Sequence, residues 1–235
     1  MEKNILELLN YFQKQDFPFF WKIILIINGS SDSSSKIADK LTTLYPQSIN
    51  FINIPEPGRG QALKKYWLKS SANILCYMDI DLAVSLDNIK DLIQPLSGDN
   101  YDMAIGSRLM VGSQIKRSFI RELSSQSYNL LSRLILRHHF SDMQCGFKAI
   151  KREVFEFIAP YIKDDKWFFD TEMIILTKII KGKIKEVPVN WQENRYDMRQ
   201  SKVNLIRDSL KFIKNLIKFR YRLLFISSQL KKHPR

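Results

Sequence analysis

Four short, strongly apolar runs recur along the first 108 residues: Trp21–Ile27 (WKIILII), Ile49–Ile54 (INFINI), Ile74–Met78 (ILCYM) and Asp102–Ile105 (DMAI). Each ends in polar or glycine-bearing sequence, so each reads as a buried strand of a parallel sheet. Helical spacing fills the intervals. Ile5, Leu8, Leu9 and Phe12 share one face of residues 2–15, and helices are predicted over Lys36–Leu44, from Gly60 onward, and over Asp87–Leu96. Alternating helix and strand predicts an α/β fold with a mostly parallel sheet flanked by helices.

The second half reads differently. Ile120, Leu123, Ser127, Leu130 and Leu134 fall on one face of a helix within Ile115–Leu136, flanked by Arg117, Arg121, Ser124 and Tyr128. Phe140–Lys148 is a compact polar stretch, Arg152–Tyr161 a short helix, and Trp167–Ile180 a long apolar helix. Trp167, Phe168 and Phe147 read as core packing. Lys183–Trp191 is a strand that Pro188 places at a sheet edge. A polar loop over Glu193–Lys202 precedes an amphipathic helix or helix pair over Val203–Leu230. The predicted organisation is a body over residues 1–200 and a basic helical segment over 201–235.

Candidate chemistry gathers at the strand ends. The third run stops abruptly at Asp79-Ile80-Asp81. Two carboxylates at the carboxyl end of a buried strand stand where open α/β sheets bind ligands. Both can reach a hard cation such as Mg²⁺, which takes one or two carboxylates and completes its shell with water and phosphate. The turn Asn28-Gly29-Ser30-Ser31-Asp32 follows the first run. It serves either as a helix cap, through Asp32 or Ser33, or as a backbone loop against a nucleotide. Gly58-Arg59-Gly60 lies between a strand and a helix, a place that suits a phosphate.

Charge and cysteine content bound the setting. Lys and Arg outnumber Asp and Glu by 37 to 24, a net charge of +13. Most of that excess lies beyond Arg195 among large apolar residues, which favours an anionic membrane surface over nucleic acid. No apolar run reaches the roughly 20 residues that span a bilayer. Cys76 and Cys145 are the only cysteines, so a reducing, cytoplasmic setting is expected.

The order of these motifs resembles the family 2 glycosyltransferases of the GT-A fold, and among them the dolichyl-phosphate and polyprenyl-phosphate hexosyltransferases. The matching strings are NGSSD, GRGQAL, YMDIDLA and GSR, then Arg121-x-x-x-Ser125 with NLLSRLIL, DMQCGFKAIKR, WFFDTEMI, EVPVNWQE and SKVNLIRDSLKF. DMQCGFK is the most specific. The resemblance implies an inverting transfer of a hexose from a nucleotide sugar to a lipid phosphate, on the cytosolic face of a membrane.

It also implies roles. Asp79 and Asp81 hold Mg²⁺ or Mn²⁺ on the diphosphate, and Asn28, Gly29, Ser30, Asp32, Gly58, Arg59 and Gly60 line the donor. Arg199 and Lys202 fold over the diphosphate. Arg108, Arg121, Ser125 and Gln144 meet the acceptor phosphate, and Asp170 and Glu172 lie near the bond being broken. An integral-membrane partner or a homo-oligomer is compatible with this reading. So are a saccharide acceptor, for which Asp170 is the candidate base, and a non-catalytic relative. Two family features have no counterpart: an acid at Ile27 or Asn28, and a strand before the first helix. Loss of that central strand is expected to expose two sheet edges.

Overall fold

The computed structural model describes residues 1–235 except 31, 99, 117–118, 193–204 and 232–235, with the side chains of 116, 119–124, 205–210 and 231 also outside the description. The predicted first-half elements form within two residues of their expected bounds. They are α1 (Glu2–Lys14), β1 (Ile23–Asn28), α2 (Ser34–Leu44), β2 (Ile49–Ile54), α3 (Arg59–Trp67), β3 (Ile74–Met78), α4 (Asn88–Ser97) and β4 (Met103–Ser107). Then come β5 (Gln114–Lys116), α5 (Phe119–Leu136), β6 (Phe147–Lys151), α6 (Arg152–Ile158), a short 3₁₀ turn (Ala159–Tyr161), α7 (Phe169–Ile179), β7 (Ile184–Pro188), β8 (Asn190–Gln192) and α8 (Leu205–Lys231).

The sheet is less uniformly parallel than the pattern predicts. β6 sits between β3 and β4 and runs antiparallel to both, whereas β4 and β7 are parallel. β7 closes the edge, as Pro188 requires. β1 and β2 pair in parallel but form a separate two-stranded sheet. The layer therefore divides between β1 and β3.

Two apolar cores hold this layer. One joins α1 and α4 to Ile23, Leu25 and Ile27 of β1 and to Ala104, Phe147 and Ala149. The other packs Leu75, Tyr77, Met103 and Ile105 under α6 and α7. α8 belongs to that second core, through Leu216, Phe219, Leu223 and Leu230. Arg222 locks it further by donating to Glu172. Among the described residues no helix is long and apolar enough to cross a membrane.

Candidate active site

The turn after β3 sets the carboxylate pair. Leu82 adopts a left-handed backbone (φ 51°) while its side chain is buried in the core beneath. Its N–H donates to the Asp79 carbonyl at 3.1 Å, and Ala83 N–H donates to Asp81 Oδ1 at 3.1 Å. Holding a leucine there costs on the order of 1 kcal/mol or more, and such strain clusters at functional sites. The result is that Asp79 and Asp81 line one small cavity with Met78, Ala83, Val84, Gly146 and Trp191.

Gly146 is part of the site, though the sequence marks it only as a turn. A Cβ there would lie 2.1 Å from Asp79 Oδ2. Asp79 rests directly on the bare Cα, and its N–H donates to the Gly146 carbonyl at 3.2 Å. Burial raises the Asp79 carboxyl above its ordinary range; Arg59 opposes this, and the charges of Asp81 and Asp170 add to it. Two crowded carboxylates with hard oxygen donors are relieved by a divalent cation. Among the described residues there is no cluster of three or more His, Cys, Asp or Glu side chains. The pair thus suits a metal that takes its remaining oxygens from phosphate and water.

Behind the pair lies a buried ionic knot. Asp170, fully buried at the start of α7, accepts from Arg59 and from the Tyr77 hydroxyl, and Lys148 Nζ lies 3.4 Å away. Arg59 Nη1 also reaches Asp79 Oδ1 at 3.5 Å. Trp167 covers the guanidinium, 4.4 Å from ring centroid to Cζ. Trp167 is itself 54% exposed, not core as its sequence suggests, because it caps Arg59 at the rim. Phe168 and Phe147 are buried as expected.

Two glycine-bearing loops meet at this edge. Gly29 (φ 58°) packs against Pro57, with 2.7 Å between an ideal Cβ and Pro57 Cβ, and so ties the Asn28–Asp32 turn to the Gly58–Gly60 loop. Asp32 also caps α2, accepting from Ser34 N–H at 2.8 Å and from Ser30 Oγ at 2.7 Å.

At the end of β4, Arg108 grips Asp142 through Nε (2.7 Å), Nη2 (3.1 Å) and its backbone N–H (3.1 Å). Gln144 N–H adds a fourth donor at 3.0 Å. The Gln144 side chain donates to Thr171 Oγ1 at 2.9 Å and to Tyr128 at 3.3 Å. Beside Arg108 opens a cleft of about 530 Å³ between Leu109, Met110, Ile115, Gln126, Leu130 and Arg133. Arg133 was not singled out from sequence. It donates to the carbonyls of Phe140 (2.9 Å) and Ser141 (3.4 Å) and has no carboxylate partner among the described residues.

Several expected site residues stand elsewhere. Glu172 accepts from Lys163 N–H (2.6 Å), Asp164 N–H (2.9 Å) and Arg222, which makes it a clamp between the 163–164 loop, α7 and α8. No hydrogen bond or ion pair joins it to Asp79 or Asp81 among the described residues. Ser125 lies on α5, its carbonyl accepting from Asn129 at 2.9 Å. The Arg121 side chain, Arg199 and Lys202 lie outside the described residues.

A mixed sheet with acid pair and glycine-bearing loops at its carboxyl rim defines the class of nucleotide-diphospho-sugar transferases, and solved structures share the fold. Glucosyl-3-phosphoglycerate synthase from Mycobacterium tuberculosis, with Mn²⁺, uridine diphosphate and glucosyl-3-phosphoglycerate, superposes with a TM-score of 0.59 at 14% identity, over 100% of this chain and 77% of that one. Its complex with Mn²⁺, UDP-glucose and phosphoglyceric acid gives 0.57 at 13% identity, over 84% and 67%. This is the GT-A fold.

The glycosyl transferase family 2 model matches residues 2–158, and the chain belongs to that family. It is 34% identical over 190 residues to glycosyltransferase AglD of Haloferax volcanii, covering 81% of this chain but only 30% of that protein. It is 28% identical over 232 residues to a dolichyl-phosphate beta-glucosyltransferase of Dictyostelium discoideum (95% and 70%). The Saccharomyces cerevisiae enzyme of that name is 29% identical over 224 residues (88% and 66%).

Proposed function

We propose that this chain is an inverting glycosyltransferase that moves a hexose from a nucleotide sugar of the UDP-glucose or GDP-mannose type to a polyprenyl or dolichyl phosphate. The observation that carries this is the state of Asp170. Its carboxylate is fully buried and held by Arg59, Tyr77 and Lys148, so it positions Arg59 and has no free access to an acceptor hydroxyl. A saccharide acceptor needs a base to take its proton, whereas a phosphate monoester is already an anion. The relatives named as dolichyl-phosphate beta-glucosyltransferases support the same choice.

The residues divide the work. Asp79 and Asp81 would hold Mg²⁺ or Mn²⁺, which supplies Lewis-acid stabilisation to the leaving diphosphate when bound. The Asn28–Asp32 and Gly58–Gly60 loops bound the donor side, and Arg199 and Lys202 belong to the same side in this reading. The cleft between Arg108 and Arg133 offers cations beside apolar walls, which matches a phosphate carried on a hydrocarbon chain. In this reading Gln144 and Ser125 serve the acceptor side, and Arg121 is assigned there by the resemblance alone. With no proton to remove, the chain's main contribution is to align the phosphate oxygen with the anomeric carbon.

The test is transfer of labelled hexose to polyprenyl phosphate as a function of pH. kcat/KM should rise through about pH 6, where a phosphate monoester loses its second proton. Asp170→Asn should keep that limb while raising the donor KM through a displaced Arg59. Disappearance of the limb in the variant, or preferential labelling of a saccharide, would restore the base role and the saccharide reading.

Peripheral binding at the cytosolic membrane face belongs to the same reading. Ile217, Tyr221, Leu224 and Phe225 form an exposed stripe on α8 beside Lys214 and Lys218. Leu130, Leu131 and Leu134 are exposed on α5, which packs against it. Vesicles containing anionic lipid should bind the protein more tightly than neutral ones, and the difference should shrink in high salt. Equal binding to both in a flotation assay would leave the basic residues without this role.

A further inference from the structure

α8 does more than cover a core. Its buried stripe of Leu216, Phe219 and Leu223 is flanked by Asn215 and Arg222, which stand two turns apart on the helix. Both reach the chain ahead of α7. Arg222 donates to the Tyr161 carbonyl at 3.3 Å and to Oε1 of Glu172. Asn215 Nδ2 donates to Asp164 Oδ2 at 3.4 Å. The remaining oxygen of each acid folds the loop itself. Glu172 Oε2 takes the N–H groups of Lys163 and Asp164, and Asp164 Oδ1 takes those of Lys166 (2.8 Å) and Phe168 (3.0 Å). Two carboxylates thus shape the loop over 163–168, and α8 holds the outer oxygen of both.

That loop lies on the Gly58–Gly60 turn. The Asp165 carbonyl accepts from Gln61 N–H at 3.0 Å. A Cβ at Gly58 would stand 2.6 Å from the Asp165 carbonyl oxygen, and one at Gly60 2.9 Å from that of Asp164, so both carbonyls rest on bare Cα atoms. From the same loop Trp167 covers the Arg59 guanidinium. Arg59 is therefore backed by the loop's main chain and lidded by its ring, and its other end reaches Asp79. The contacts run unbroken from α8 to the carboxylate rim.

We propose that Arg222 is a positioning residue for nucleotide-sugar binding, acting through Glu172 and the 163–168 loop on Arg59. This rests on the reading of the Gly58–Gly60 loop as part of the donor side. Glu172 is 2% exposed, so without the guanidinium its charge is stranded beside two backbone donors. The loop then loosens, and with it the backing and lid of Arg59. The acid pair does not share this dependence, because Asp79 rests on Gly146 and Asp81 on the Ala83 N–H. Nor does the acceptor side, where Arg108 is held by Asp142. Loss of Arg222 should therefore weaken donor binding and leave the chemical step and the acceptor nearly untouched.

The experiment compares the full-length wild type with Arg222→Met, Arg222→Lys and Leu223→Ala. The last loosens the same helix through its core and leaves the loop contacts in place. Hydrogen exchange is followed over 163–168 and 59–62, and transfer from labelled UDP-glucose and GDP-mannose to polyprenyl phosphate is measured with Mn²⁺. Arg222→Met should speed exchange in both segments. It should raise the donor KM about tenfold, the effect of weakening one hydrogen bond to a charged group, with kcat and the acceptor KM within about twofold. Arg222→Lys keeps a cation for Glu172 and protects the fold, but a single ammonium lacks the fork that spans Glu172 and Tyr161, so its donor KM should be intermediate. Leu223→Ala should lower the unfolding midpoint without raising the donor KM. Unchanged exchange over 59–62 in both Arg222 variants, a donor KM that stays flat while exchange rises, or an equal rise in Leu223→Ala would each overturn the proposal. A wild type that transfers hexose from neither donor would strike the proposed function, whereas a flat exchange pattern in an active enzyme strikes the role of Arg222 alone.

Discussion

Asp81→Asn should lower transfer from a nucleotide sugar by about 10²–10³-fold, the scale seen when one group that stabilises developing charge is removed from an active site. Asp81 is well suited to this test. Its side chain is exposed and accepts a hydrogen bond from Ala83 N–H, which asparagine Oδ1 can also accept. The substitution therefore removes charge and leaves the turn intact, so the unfolding midpoint should stay put while activity falls. Asp79→Asn is a poorer probe, because Asp79 also meets Arg59 and sits on Gly146. Added Mn²⁺ at high concentration should recover part of the lost rate. An Asp81→Asn enzyme with wild-type kcat/KM at limiting metal would remove Asp81 from the proposed metal site.

Much of this site is readable in the sequence because strand ends are abrupt. The change from Leu75-Cys76-Tyr77-Met78 to Asp79-Ile80-Asp81 marks both a strand of the main sheet and the carboxylate pair at its end. β6 is harder to see. Phe147–Lys151 places Lys148 at a fully buried position of a central strand, and a lysine there argues against burial until its partner is known. The partner is Asp170, and neither periodicity nor spacing connects residues that distant. Arg59 hides in the same way: GRG announces a loop, but the guanidinium turns inward to Asp170 and under Trp167. Glu172 shows the opposite error. An acid in a helix's first turn reads locally as dipole-favoured or, by resemblance, as catalytic. Its carboxylate is instead committed to a loop and to Arg222, fifty residues on.

Arg108→Met should cost about 3–5 kcal/mol of stability, the range for removing one partner of a buried ion pair. Asp142 is fully buried, and Arg108 supplies three of the four hydrogen bonds named above to its carboxylate. The backbone bond survives substitution, but the charge and the two guanidinium bonds do not. Burial alone would raise the Asp142 carboxyl; Arg108 and the backbone donors outweigh it and bring it to about 2. The sign of the pH dependence follows. In the wild type the folded value lies below the ordinary one of about 3.9, so the pair's contribution is present above that pH and is lost as pH falls through about 2. Without Arg108, burial dominates and the folded value rises above the unfolded one. The penalty is then largest near neutrality and relaxes on acidification, so the gap between variant and wild type should already be narrower at about pH 4 than at pH 7. Urea unfolding at pH 7 and pH 4 measures this directly. The double variant Arg108→Met/Asp142→Leu should regain most of the loss at pH 7, because the stranded charge is gone. A single variant within 1 kcal/mol of wild type, or a double variant no more stable than the single one, would show that Asp142 finds another counter-charge. Arg108 would then be free to serve the acceptor phosphate alone.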